Sequence, residues 1–121
     1  MRLHLLDFDF SEDAEGHGSF EAMAAADRRH LEALRQEVVD VLDWATRTFG
    51  DAAPLEEGGE WDYQLHGVQE VVTPLAAHFD RATRSIALQP QGEGVPRVTL
   101  TLTVVGSEAF CAAFRAAFAL D

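Results

Sequence analysis

The stretch that decides the fold runs from Arg97 to Val105 and reads RVTLTLTVV. Apolar residues alternate there with threonines, which is the period of a β-strand with one face in the core and the other in water. We therefore predict a strand whose threonines face away from the core. Its buried residues are predicted to be Val98, Leu100, Leu102 and Val104.

A helix is predicted directly after this strand. Ser107 follows Gly106 and is a suitable N-cap, because a serine hydroxyl can accept an otherwise unpaired N–H of the first helical turn. Phe110, Phe114 and Phe118 then recur at spacings of four, so their rings point the same way. This aromatic face is predicted to pack on the sheet.

A longer helix is predicted from Arg28 to Phe49. Its apolar residues recur at spacings of three and four and form one stripe. Asp27 is the expected N-cap, and Gly50 is the expected C-terminal stop. The apolar stripe consists of Leu31, Leu34, Val38, Val41, Leu42, Ala45 and Phe49.

The N-terminal region is predicted to form a β-hairpin. Residues 6–10 alternate apolar and acidic side chains, residues 12–18 are rich in glycine and acid, and residues 19–24 resume the alternation. The alternative is one helix from Ser19 to Phe49, which would be about 46 Å long. A domain of this size has a radius of gyration of only about 14 Å, so a break near Asp27 is favoured.

The middle of the chain is predicted to be a loop over residues 51–59 and then further strands. Trp61 and Tyr63 alternate with polar residues and are expected in the core, and Gly67 is the expected site of a bulge. Residues 73–81 fit either a short helix or one side of a hairpin that turns at Asp80-Arg81. The next strand, residues 84–88, is predicted to pair with the strand at Arg97–Val105 through a turn over residues 90–96.

These elements predict a single α+β domain over residues 1–121. Their order is ββαβ(β)ββα, and short connections favour a mainly antiparallel sheet of five or six strands. We expect both helices to pack on one face of the sheet and the other face to be polar. The single cysteine, Cys111, excludes an internal disulfide and is expected to be a buried thiol.

The net charge of −12 is concentrated in two segments. Residues 1–27 hold seven acids and one arginine, which gives −6, and residues 51–70 hold six acids and no arginine, which gives another −6. The remainder of the chain is neutral. This balance disfavours nucleic acid and anionic lipid as partners, because the chain has no basic stripe that could replace their counterions.

The location and source of the protein are predicted from composition. The first residues lack the zones of a signal peptide, and no apolar run approaches the roughly 18 residues needed to span a bilayer. We therefore expect a cytoplasmic protein. All nine basic residues are arginine, which is typical of a GC-rich bacterial genome.

The acidic residues of the predicted strands point to the uncovered face of the sheet. Clustered carboxylates there favour a docking surface for a basic protein, since they accelerate encounter and accept bidentate arginine contacts. The alternative is a solvated face that only keeps the protein soluble. The predicted binding residues are Asp7, Asp9, Glu21, Glu60, Asp62 and His66. We expect a non-enzymatic binding module, such as an inhibitor or neutralising partner of a basic protein.

A metal site is a weaker alternative. Asp13, Glu15 and His17 lie close together in the first predicted turn and could bind an ion. The turn also resembles the start of a calcium loop, but Ala22 stands where a bidentate carboxylate is needed.

An enzyme is a second alternative, and it would use clustered Asp, Glu and His residues that converge in a pocket. The glycine clusters lack the spacing of a phosphate loop, so no cofactor is expected. A third alternative is a structural homo-oligomer. Because stacked acidic faces would repel, it would pair through an edge strand away from the acidic segments.

Overall fold

The computed structural model describes residues 1–120 and shows an α+β fold with antiparallel sheets, as predicted. Two α-helices, a short 3₁₀ helix and six strands follow one another along the chain. Their bounds are β1 Asp9–Glu12, β2 Gly18–Asp27, α1 Leu31–Phe49, the 3₁₀ helix Leu55–Glu57, β3 Trp61–Val72, β4 Leu75–Asp80, β5 Ser85–Pro90, β6 Val95–Gly106 and α2 Glu108–Phe118. No helix within residues 1–120 is both long enough and apolar enough to cross a membrane.

Four strands form the main sheet, in the order β1-β2-β6-β3. The strand predicted from RVTLTLTVV is therefore an inner strand, with β2 on one side and β3 on the other. The β3 ladder is continuous from Trp61, opposite Gly106, to Val72, opposite Val95, so Gly67 forms no bulge. A Cβ at this position would lie 3.2 Å from a methyl group of Leu100, so a larger residue would fit only if Leu100 moved slightly.

The core lies between the main sheet and the two helices. The three phenylalanines of α2 are buried, as predicted, and Phe114 meets Phe20 of β2 edge to face at 4.8 Å between ring centroids. Trp61 is also buried, and its indole N–H donates to the Gly50 carbonyl at 2.8 Å. Tyr63 was expected in the core but is 40% exposed, because β3 is an edge strand of the main sheet.

The two helices end largely as their capping residues predict. Gly50 has a left-handed φ of 85° and donates its N–H to the Thr46 carbonyl, which closes α1. Ser107 caps α2 by accepting the N–H of Phe110. The predicted start of α1 is wrong, because the Asp27 carboxylate instead accepts the N–H groups of Arg29 and His30 in a turn that delays the helix to Leu31.

The first strand begins later than the alternation at residues 6–10 predicts. The Glu37 carboxylate of α1 accepts the backbone N–H groups of His4, Leu5 and Leu6, at distances of 2.9–3.0 Å. These bonds hold the N-terminal segment against the helix and bury Leu6 outside the sheet. Pairing with β2 starts only at Asp9.

The strands β4 and β5 form a separate two-stranded sheet, here called the arm (residues 75–90). The hairpin alternative for residues 73–81 is therefore confirmed. The predicted pairing of β5 with β6 is wrong, because β5 pairs with β4 and β6 pairs with β2 and β3. Every residue of the arm is exposed. Gln91 donates its N–H to the Pro74 carbonyl at 2.8 Å, which extends the β4–β5 ladder beyond the Leu75–Pro90 pair towards the main sheet.

Candidate functional site

The face of the main sheet opposite the helices carries the predicted acidic residues in cross-strand rows. Residues that pair directly across antiparallel strands point to the same face, with Cβ atoms about 5 Å apart. One row places Asp9 opposite Glu21, and two strands further on it ends at Gln64. Like charges directly opposite each other are destabilising, so the Asp9–Glu21 pair is an unfavourable feature of the isolated molecule.

The next row forms the floor of a concave site of about 410 Å³, here called the acidic pocket. Asp62 stands at one end of this row and Ser11 at the other. Both acidic segments of the sequence contribute to the lining, which includes five carboxylates and no arginine. The lining residues are Ser11, Glu12, Asp13, Glu15, His17, Gly18, Ser19, Leu55, Glu56, Asp62 and Val105.

One wall of the acidic pocket is the turn between β1 and β2. The Asp13 carboxylate accepts the N–H groups of Glu15 and His17, both at 2.9 Å, and Gly16 supplies the left-handed φ of 85° that the turn needs. These bonds, chiefly the one from His17, lower the pKa of Asp13 below its ordinary value. The turn therefore holds a carboxylate that stays ionised at neutral pH.

The other wall is the 3₁₀ helix, whose Leu55 and Glu56 line the same pocket as Asp62. The loop can fold back here because Gly58 adopts a left-handed φ of 92° and because Gly59 lies against the Ala53 carbonyl. A side chain on Gly59 would overlap that carbonyl. The glycines after the 3₁₀ helix thus bring the second acidic segment next to the first.

Four of the six predicted binding residues share the open face. They are Asp9, Glu21, Asp62 and His66, with His66 opposite Thr101 one row beyond Gln64. Asp7 does not belong to this group, because it precedes β1 and lines a depression beside the C-terminal end of α2.

Glu60 does not belong to this group either. It precedes β3, and its carboxylate accepts the hydroxyl of Ser107 at the start of α2. Its position is explained by a structural contact with the helix.

Sequence reasoning did not select several residues that line the acidic pocket. Glu12 and Glu56 were counted in the acidic segments but not assigned to a face, because both lie in or beside turns where strand alternation gives no direction. Ser11 was not selected either; it pairs across β1 and β2 with Ser19, which the alternation of residues 19–24 already places on the open face. The signal that could have found Ser11 is the register of the first hairpin, which places the two serines opposite each other once its turn is fixed at residues 13–17.

The predicted metal-binding group is brought together by the same turn. Ligand atoms of Asp13, Glu15 and His17 lie within 4.8 Å of one another, and the His17 ring nitrogen is 3.5 Å from the Asp13 carboxylate. Asp13 and Glu15 are exposed. The backbone hydrogen bonds of Asp13 account for this arrangement as ordinary turn geometry.

Comparisons with protein-family models, with curated proteins and with solved structures found no match to this chain.

Proposed function

We propose that this protein is a non-enzymatic binding module whose acidic pocket receives an arginine- or lysine-bearing segment of a basic protein. The observation that carries the proposal is that carboxylates from both acidic segments line one concave site. Guanidinium groups suit such a site, because their donors match carboxylates in a bidentate geometry.

The electrostatics of the open face support this role. Asp9 stands directly opposite Glu21 beside the pocket. The hydroxyl of Thr103 donates a 3.4 Å hydrogen bond to the Glu21 carboxylate, which does not neutralise its charge. A cationic partner would relieve this repulsion on binding. Residues that cost stability in the free protein and gain it in a complex are typical of binding sites.

The shape of the site supports a segment of polypeptide as the ligand. The floor is a row of small or short side chains, Ser11, Ser19 and Val105, between raised walls of acidic residues. Arginine side chains that enter between the two walls would meet carboxylates on both sides. The walls come from a turn held by Asp13 and from a short 3₁₀ helix, so the site is largely formed before binding.

The test uses a fluorescent oligo-arginine peptide as a probe and measures its binding by fluorescence anisotropy at increasing ionic strength. Affinity should fall steeply as salt rises. Asp62→Asn and Glu56→Gln should each weaken binding several-fold. The matched control is Glu32→Gln on α1, which changes the net charge by the same amount at a site whose carboxylate faces Arg35.

Equal effects of the pocket variants and the control would contradict the proposal, because they would mean that only the overall charge matters. A native partner captured on the protein should also be basic, and its association rate should decrease with salt. A captured partner that is acidic and binds independently of salt would be equally contradictory.

A further inference from the structure

The arm has one face made entirely of apolar residues. Its register pairs Leu75 with Pro90, Ala77 with Leu88 and Phe79 with Ile86, so these six side chains share a face. The opposite face carries Ala76, His78, Asp80, Ser85, Ala87 and Gln89. The arm is therefore amphipathic, although no helix or sheet within residues 1–120 covers its apolar face.

This apolar face is open to solvent. Leu75, Phe79, Ile86 and Leu88 are 51%, 58%, 60% and 59% exposed. Together they present on the order of 400 Å² of apolar surface, the size of patch that is often functional on a monomer. An isolated two-stranded hairpin is marginally stable in water, since it has nothing to bury its apolar side against. The arm thus needs a covering surface.

We propose that the apolar face of the arm packs against the same face of the arm in a second copy of this chain. The two hairpins would form a four-stranded, two-layer sandwich around a twofold axis. A face of this kind is self-complementary, as an isologous interface requires. Two faces of this size bury less than a standard interface of ~1,600 Å², so the dimer is weak and depends on concentration.

The distribution of charge favours a second copy of this chain as the partner that covers the apolar face of the arm. The arm carries one acid, Asp80, and two arginines, Arg81 and Arg84. The last acids of the two acidic segments, Asp27 and Glu70, lie towards the base of the arm, where both are paired with Arg97 of β6. From Asp62 at the acidic pocket to Val72 at the base of the arm, β3 spans about 33 Å. This exceeds the Debye length of about 10 Å, so the carboxylates of the two acidic pockets repel each other little when two copies meet at their arms.

The chain supplies a single reporter for this contact, because Ile86 is its only isoleucine. Sedimentation velocity from micromolar to near-millimolar protein should show a monomer–dimer equilibrium. With selective isoleucine methyl labelling, the one methyl signal of Ile86 should shift with concentration in step with the fraction of dimer. A dimer whose formation leaves this signal unchanged would overturn the proposal, since its interface would lie elsewhere.

A pair of neighbouring substitutions separates the two faces of the arm. Phe79→Glu adds one negative charge on the apolar face and should leave the protein monomeric at all concentrations. His78→Glu adds the same charge on the opposite face and should leave dimerisation within a few-fold of that of the unsubstituted protein. Both side chains are exposed, so the circular dichroism and thermal unfolding of both variants should be unchanged.

Two other outcomes would overturn the proposal. One is a protein that stays monomeric over the whole range of concentration, and the other is a Phe79→Glu variant that dimerises normally. Neutral phosphatidylcholine vesicles test the alternative that a lipid surface covers the apolar face of the arm. A monomeric protein whose Ile86 signal broadens on adding them would assign the apolar face to a lipid surface and not to a second copy.

Discussion

The hydroxyl of Ser107 donates a hydrogen bond to the carboxylate of Glu60 at 2.5 Å. The same hydroxyl oxygen accepts the N–H of Phe110, and the Ser107 N–H donates to the Glu60 carbonyl at 2.9 Å. These contacts fasten the start of β3 to the start of α2. They also place a carboxylate at the helix N-terminus, where the helix dipole favours negative charge.

Removing this cap should destabilise the protein measurably. Ser107→Ala leaves an N–H of the first turn of α2 without its side-chain acceptor and should lower the free energy of unfolding by about 1 kcal/mol. Urea denaturation measures the loss. Ser11→Ala on the exposed strand β1 is the control, and an equal effect of the two substitutions would refute the capping role.

The phenylalanines of the core and of the arm should respond differently to the same substitution. Phe114 is fully buried, so Phe114→Ala opens a cavity and should cost about 3–5 kcal/mol. Phe79 is 58% exposed, and Phe79→Ala should change the stability of the monomer by less than about 0.5 kcal/mol. Denaturation at low protein concentration gives both values. A large loss for Phe79→Ala would show that the arm packs on its own chain.

Asp62 should matter little for folding. Its carboxylate accepts the adjacent Tyr63 N–H and lies among other acids in the acidic pocket. Asp62→Asn keeps an oxygen acceptor and removes repulsion, so stability should stay within about 0.5 kcal/mol or rise. Thermal melts check this expectation, and unfolding of the variant at room temperature would mean that Asp62 is an internal structural group.

The turn that forms one wall of the pocket should loosen in acid. Because hydrogen bonds from His17 and Glu15 lower the pKa of Asp13, its ionised form stabilises the folded turn. This stabilisation is complete above the ordinary aspartate pKa, about 3.9, and is lost as the pH falls through the lowered value in the folded protein. The amide chemical shifts of Glu15 and His17 should therefore change as Asp13 is protonated. In Asp13→Asn the part of the pH dependence that comes from Asp13 should be lost from both amides.

The thiol of Cys111 should be unreactive in the folded protein. Burial raises its pKa, and its Sγ lies 3.6 Å from the Gly106 carbonyl. Little thiolate is therefore present at neutral pH, and reagents reach it poorly. Reaction with a disulfide reagent such as DTNB should be slow until denaturant is added. Rapid labelling of the folded protein would place the thiol at the surface.

The elements set by local pattern were predictable from the sequence. The inner strand β6 and the helix α2 follow from the alternation at residues 97–105 and from the spacing of Phe110, Phe114 and Phe118. Both signals report which face of a single element is apolar. The fold class follows from the order of these elements, because short connections between strands favour antiparallel pairing.

The elements set by distant contacts were not predictable in the same way. The start of β1 depends on Glu37, which holds backbone groups more than thirty residues away. The partner of β5 depends on a choice between two antiparallel neighbours, and the glycine- and proline-rich turn over residues 90–96 favoured the wrong one. Local alternation contains no information on either choice.

The candidate site was predictable as a face but not as a pocket. Strand parity assigned Asp9, Glu21 and Asp62 correctly to one side. It failed for Asp7 and Glu60, which lie just outside the strands, where alternation no longer gives direction. The walls of the pocket come from turns, whose shape depends on glycine conformations and on the hydrogen bonds of Asp13.

The twelve-residue length of β3 separates the acidic pocket from the arm by the full height of the sheet. A dimer joined at its arms would therefore be bivalent, with one acidic pocket at each end of the dimer. One such particle could tether two cationic chains, or two sites on a single long one, and would gain avidity without any improvement in either contact.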